Sequence, residues 1–550
     1  MKGIATFIVV LIVITAFSPA PYASGTTETM NPRLVDLVDG KRSYDLDLQL
    51  ERMTLDHSTS AYSFRSSGSL GATAAAHWLE EQYRELGLDT HAENFSFVNW
   101  TLLSPPALSL DPDNNASTTN DQVLLPSFIA KHLAWPTGRD GLFGQVVILP
   151  LPNNGEAFPS NLWDNITIRG KIVLIGREFA LSSSWRDHYI AKINREPPLA
   201  IIHTWWFPNH SWVPPYTGSQ EGRLYSPTPP TSSVRYWDLK IPVGMINYAD
   251  GLKIRTNIQN SRVSARIVID AAIGYGQHYN VVAAIRGQDE NKIIILSSHY
   301  DSVICAGFGD NGAGTSGLLE LARVFQTAEK DGIYVPPVSM MFVSFAAEEY
   351  WLLGSAYFVQ QHKAELGKVL GVINLDPIGS KILLVSKTVS GLSQVIVSTA
   401  QDLGVPVDTV PREEASSDNW SFDDPADRDG ALSWIWGQEL GIADAPPTPA
   451  VWVGSYPLQW TDTSPAGEHG WIHTPYDNST STGEYGWMTA SNMQAQLRVV
   501  TLAVFRLAPT TSSSTVPTLT SIVAISVAST LLAAIIYLKR RAHDPKKPSS

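Results

Sequence analysis

The chain has 550 residues, 44% of them hydrophobic and 17% charged, which is enough apolar material for a sizeable core and more than one domain and excludes a disordered chain. A formal charge of −13 excludes a nucleic-acid partner, because phosphate binding needs a basic surface and no Lys/Arg-rich stripe precedes the last dozen residues. With one cysteine, Cys305, no internal disulfide framework can form, so stability has to come from burial and Cys305 reads as a small buried residue.

The first stretch, "MKGIATFIVVLIVITAFSPAPYASG", has an early Lys, an apolar run from Ile4 to Phe17 and small residues from Ala20 to Ser24. That is the layout of a signal peptide over residues 1–24. Residues 25–131 read as the first part of the main domain. Within them "GATAAAHWLEEQYRELGLDT" puts Ala75, Trp78, Leu79, Tyr83 and Leu86 on one helical face and stops at Gly87.

From 132 to 259 the texture changes. "GQVVILPL", "GKIVLIGREF", "LAIIHTWWF" and "IPVGMINYADGLKI" are short β-branched runs separated by Pro, Asn and Gly, which predicts a strand-rich insert. Over 260–508 strands alternate with helices: "YNVVAAIRG", "KIIILSSHYD", the helix "GTSGLLELARVFQTA", "VSMMFVSFAAEE", a helix near "GSAYFVQQHKAEL", and "VLGVINLDPIG". This alternation predicts a sheet covered on both faces. The Pro-, Asp- and Gly-rich stretch between Pro406 and Pro449 reads as long loops.

The last segments have a different chemistry. Residues 509–518 are a Ser/Thr/Pro linker, and 519–538 carry no charge; twenty helical residues at about 1.5 Å each reach about 30 Å, enough to cross a bilayer. The basic tail, 539–550, then belongs in the cytoplasm and everything before the span on the extracellular face of the membrane. Sequons begin at Asn94, Asn99, Asn115, Asn165, Asn209, Asn419 and Asn478, in keeping with an exterior location.

Three apolar strands end in acidic or imidazole groups: His299 and Asp301 after "IIILSS", Glu348 and Glu349 after "MMFVSFAA", and Asp376 after "VLGVIN". Asp310 opens the helix after the first of them. Buried carboxylates without a partner cost several kcal/mol, so a divalent cation among Asp310, Glu349 and Asp376 is expected. His299 with carboxylates suits zinc, and His473 in "GWIHTPYDN" can complete the set. Of the adjacent Glu348 and Glu349, one can bind metal while the other serves as general base.

The strings "SSHYDSV", "GDNGAG", "AAEEYWLLGSAYF", "INLDPIG" and "HTPYDN", in this order, together with "RSSGSLGATAAAHWLEEQYRELGL", resemble the co-catalytic dizinc aminopeptidases, a family that includes secreted leucyl aminopeptidases and glutamate carboxypeptidases. The insert resembles a protease-associated (PA) domain. The resemblance implies an α/β/α sandwich of zinc-exopeptidase type with a mixed, mainly parallel sheet, and two Zn2+ ions. It implies that Asp310 bridges them, that His299 and Asp376 complete one metal site and Glu349 and His473 the other. Glu348 would be the general base and Asp301 the partner that orients His299. The implied activity is removal of N-terminal residues from peptides by a hydroxide shared between the metals. A carboxypeptidase or dipeptidase on the same scaffold, or an inactive receptor-like ectodomain, are alternatives; the complete ligand set speaks against the last. The sequence departs from the family at Pro377, at Ile472 before His473, and at Asn419, where "SSDNWSF" has Asn in place of a common His.

Overall fold

A computed structural model of the chain describes residues 32–508, apart from 57–63, 112–122, 132–133, 151–158, 160, 176–182, 205–222, 225–233, 236–239, 261, 304, 389, 413–416, 423–439, 443, 456–471, 473–476 and 481–486. The expected signal peptide, linker, span and tail lie outside the described residues. Among those described, no helix is long and apolar enough to cross a membrane.

The α/β alternation folds into an eight-stranded sheet. Its strands are β1 (Asp89–Leu102), β2 (Ala271–Ile285), β3 (Asp289–His299), β4 (Val338–Phe345), β5 (Val369–Leu375), β6 (Leu383–Ser386), β7 (Val407–Val410) and β8 (Ala450–Gly454). They lie in the order β1-β2-β4-β3-β5-β8-β6-β7. β3 pairs in parallel with β4 and β5, as do β5 with β8 and β6 with β7, whereas β1–β2, β2–β4 and β6–β8 are antiparallel. The sheet is therefore mixed, with a parallel centre. Ile294, Ile295 and Leu296 of β3 are buried, each contributing roughly 1.5–3 kcal/mol. Their burial on both faces is why this strand reads as an uninterrupted apolar run.

The helices that matter for the site are α1 (Gly40–Asp56), α2 (Leu70–Leu86), α3 (Gly314–Lys330), α4 (Leu353–His362), α5 (Leu392–Asp402) and α6 (Ala490–Leu507). α1, α3 and α6 pack on one another, and α3 also lies against β3, β4 and β5. α2 is capped by the Ser69 hydroxyl, which accepts from the Ala72 N–H, and it ends at Gly87 with φ 88°, a left-handed conformation that favours glycine. Ala75, Leu79 and Tyr83 of its apolar face are buried.

A second eight-stranded sheet runs, in order, Val123–Leu124, Ala107–Asp111, Ser264–Ile269, Gly138–Leu149, Ile172–Ile175, Ala200–Thr204, Val243–Ile246 and Ile129–Ala130. Its strands extend beyond 132–259 at both ends. The chain leaves the first sheet through β1 and returns through β2, paired from Asp89↔Ala284 to Leu102↔Ala271, so this sheet is threaded through one long antiparallel ribbon. The stretch read as loops between 406 and 449 also contains β7. Only Val407 and Val410 of that four-residue edge strand are apolar, too little periodicity to distinguish it from a loop.

Candidate metal centre

The sheet order brings three strand exits side by side. His299↔Phe345 and Ser297↔Asn374 are register partners, so His299 is level with the residue after β5, Asp376, and close to the turn after β4. Ligand sites in open α/β sheets form in this crevice beyond the carboxyl ends of parallel strands. His299 is fully buried. Its Nε2 lies 3.2 Å from Asp310 Oδ1, 3.4 Å from Asp376 Oδ1 and 3.9 Å from Glu348 Oε2.

Asp310 reaches this point from a loop that begins at the end of β3 and closes in a wide helical turn, Phe308–Ala313. Asp310 itself has extended backbone angles (φ −110°, ψ 100°), and its peptide bond to Asn311 is cis. The N–H groups of Gly309 and Asp310 donate to the two carboxylate oxygens of Asp477 at 2.6 and 3.0 Å. Asn311 Nδ2 donates to the Leu375 carbonyl at 2.9 Å, fastening the same turn to the end of β5.

The two glutamates sit on a tight turn between β4 and α4. Ala347, Trp351 and Leu352 have φ of 55°, 65° and 59°, each costing on the order of 1–2 kcal/mol for a non-glycine residue. Such conformations persist where the surroundings over-determine them, and Asp301 supplies part of that constraint. Its carboxylate accepts the N–H groups of Glu348 (3.1 Å) and Glu349 (3.3 Å) and the Ser67 hydroxyl (2.9 Å). His299 Nδ1 is 3.1 Å from the main-chain oxygen of Asp301 and 3.5 Å from its Oδ1. Asp301 thus touches both the imidazole and the glutamate turn.

The electrostatics of the crevice demand positive charge. Burial raises the Glu348 carboxyl well above the usual range against the pull of His299, and Glu349, Asp376 and Asp418 push it further. Asp376 is raised by burial and by Asp310. Burial alone would lower His299, but the charges of Asp376 and Glu348 and the carboxyls of Asp301 and Asp310 hold it well above the ordinary histidine value. Nε2 is nonetheless buried without making a hydrogen bond. An unbonded imidazole nitrogen facing carboxylate oxygens is a donor set for a cation, and one ligand atom each from His299, Asp310 and Asp376 lie within 4.8 Å of one another. The residues therefore fit a zinc-type metal.

Of the residues expected from sequence, His299, Asp301, Asp310, Glu348, Glu349 and Asp376 all belong to this crevice or to the turns that form it, with Glu349 buried on the same turn as Glu348. His473 lies outside the described residues; Asp477, four positions on, is described and buried. Cys305 is buried between the ligand positions, its thiol held up by burial and by Asp477, Glu349 and Asp310. Two residues were missed. Asp418, pushed up to about 8 by burial with Asp301 and Asp376 adding, opens the short helical turn Asp418–Ser421, which packs against β3, β5 and β8. Arg65 lies in the "RSSGSLG" string, where its burial could not be read from the local pattern.

Fold and site together define a class: α/β proteins with a histidine-and-carboxylate cluster able to hold a metal at the carboxyl ends of a mixed sheet. Residues 280–495 match the model of Peptidase family M28. Over 141 residues the chain is 32% identical to leucine aminopeptidase 2 of Arthroderma otae, covering 25% of this chain and 27% of that protein. Over 148 residues it is 34% identical to leupeptin-inactivating enzyme 1 of Streptomyces exfoliatus, covering 26% and 33%. The chain thus spans about a quarter to a third of the curated relatives it matches. In fold it is similar to an aminopeptidase from an Aneurinibacillus species, with a TM-score of 0.58 at 19% identity over 87% of this chain and 96% of that one. A zinc aminopeptidase from Bacillus subtilis gives 0.58 at 20% identity over 86% and 97%.

Proposed function

We propose that this chain is a zinc-dependent aminopeptidase that removes residues from the free N-terminus of peptides. The observation that carries this reading is the convergence of His299 Nε2, Asp310 and Asp376 within 4.8 Å, with the Glu348 carboxylate 3.9 Å from that nitrogen. The family M28 match and the relatives named leucine aminopeptidase support the reaction and the end of the peptide attacked. His299, Asp310 and Asp376 would hold one zinc, and Asp310, Glu349 and His473 a second. Zinc supplies a Lewis acid for the scissile carbonyl and for the attacking water.

The chain's own residues do the rest. Glu348 takes the proton from the water as it attacks and returns it to the departing amine nitrogen. Its burial raises its proton affinity, which favours the first half of that exchange. Asp301 keeps Glu348 in place through its backbone N–H and steadies the imidazole of His299. Metal analysis of the purified chain tests the reading. Two zinc ions per native chain, and loss of zinc with activity in Asp310→Ala, are expected; a native chain without zinc, or an Asp310→Ala chain that keeps both ions, contradicts it.

The sheet between β1 and β2 is read as the PA-like module. Replacing 103–270 by a short turn is expected to leave zinc bound, and loss of zinc contradicts a separate module. The domain is placed outside the cell by residues 1–24 and anchored by 519–538, on the strength of the apolar runs and the basic tail. Protease added to intact cells is expected to remove the domain and spare 539–550; cleavage of that tail contradicts the orientation.

A further inference from the structure

The segment after α1 carries a fully buried arginine that none of the proposed chemistry uses. Arg65 Nε donates to the Tyr300 carbonyl at 2.7 Å, Nη1 to the Ala306 carbonyl at 2.6 Å and to Thr54 Oγ1 at 3.1 Å, and Nη2 to the Gly307 carbonyl at 2.7 Å. Tyr300 directly follows His299, and Gly307 stands three residues before Asp310. One planar group therefore grips both ends of the loop that joins two of the three converging ligands. The Arg65 main-chain oxygen also accepts the Ser302 N–H at 3.3 Å. Two residues on, Ser67 bonds the Asp301 carboxylate.

The described residues between 301 and 307 have no regular secondary structure, so their inward carbonyls depend on a partner brought from elsewhere. Hydrophobic filling could satisfy packing but not three converging oxygens. Burying a guanidinium is costly, and its fork geometry matches this arrangement where a lysine's single nitrogen does not. We infer that Arg65 is a positioning residue: it presets the 300–307 loop so that His299 and Asp310 are held at metal-binding separation before the metal arrives. This inference rests on the metal reading above.

The test is zinc affinity of the full chain, by competition with a chromophoric chelator, together with the visible spectrum of the cobalt-loaded protein. Arg65→Lys is expected to weaken zinc binding about 10- to 100-fold, the range for partners that orient ligands, and to alter the cobalt bands while far-UV circular dichroism stays native. A folded Arg65→Lys chain with native zinc affinity and cobalt spectrum, and only a lowered melting temperature, overturns the inference and leaves the metal reading intact. A wild-type chain that binds no zinc overturns the metal reading itself. If Arg65→Lys does not fold, Thr54→Val decides. It removes one acceptor of Nη1 from outside the loop, and zinc binding measurably weaker than native supports the inference, whereas unchanged affinity overturns it.

Discussion

Replacing Glu348 by Gln separates its proposed role from that of its neighbours. The side chain is 13% exposed with Oε2 3.9 Å from His299 Nε2, and Gln has the same shape, so packing and the backbone bond to Asp301 are retained. What is lost is a proton acceptor. General-base catalysis is worth about 10²- to 10⁴-fold, or roughly 3–5 kcal/mol of barrier, and kcat should fall by that factor. Because Glu348 is not proposed as a ligand, zinc content should stay native and KM should change little. The assay is steady-state hydrolysis of an aminoacyl p-nitroanilide alongside metal analysis. Near-native turnover removes Glu348 as the base, and loss of zinc in parallel with activity makes it a ligand instead.

Gly314→Ala tests how tightly α3 abuts the site. A Cβ there would meet Asn311 Oδ1 at 2.3 Å and the Leu375 carbonyl at 2.4 Å, so a loss of about 1–3 kcal/mol in urea unfolding is expected, with reduced zinc retention; an unperturbed variant contradicts the packing described. His203, in the second sheet, is lowered to about 3 by burial, with Lys131 adding. It is neutral when folded and takes up a proton on unfolding below about 6.5, so its contribution to stability is lost as pH falls from about 6.5 toward 3. His203→Leu should flatten the fall in melting temperature over that window, and an unchanged slope removes His203 as the cause.

The legibility of this chain follows from where each residue finds its partners. β3, β4 and β5 are buried parallel strands, so their apolar runs and their polar exits are local signals, and these exits carry His299, Asp301, Glu348, Glu349 and Asp376. β1 was not legible. Its sequence, "DTHAENFSFVNWTL", mixes polar and aromatic residues because the ribbon with β2 is largely half-exposed. The extent of the second sheet was obscured by the two-residue strands at Val123–Leu124 and Ile129–Ala130, too short for any alternation. Arg65 could be seen as part of a motif, but its work depends on carbonyls 235 to 242 positions away. Asp477 likewise meets Gly309 and Asp310 across 168 and 167 positions. Such long-range polar contacts leave no periodicity in the sequence.

The central claim, a metal-dependent reaction at a free N-terminus, is tested most directly by assaying the chelated and zinc-restored chain on matched peptides with free and acetylated N-termini. The expected result is no hydrolysis after chelation, recovery on adding zinc, and release of the first residue from the free peptide alone. Cleavage of the acetylated peptide in preference, or activity indifferent to zinc, contradicts it.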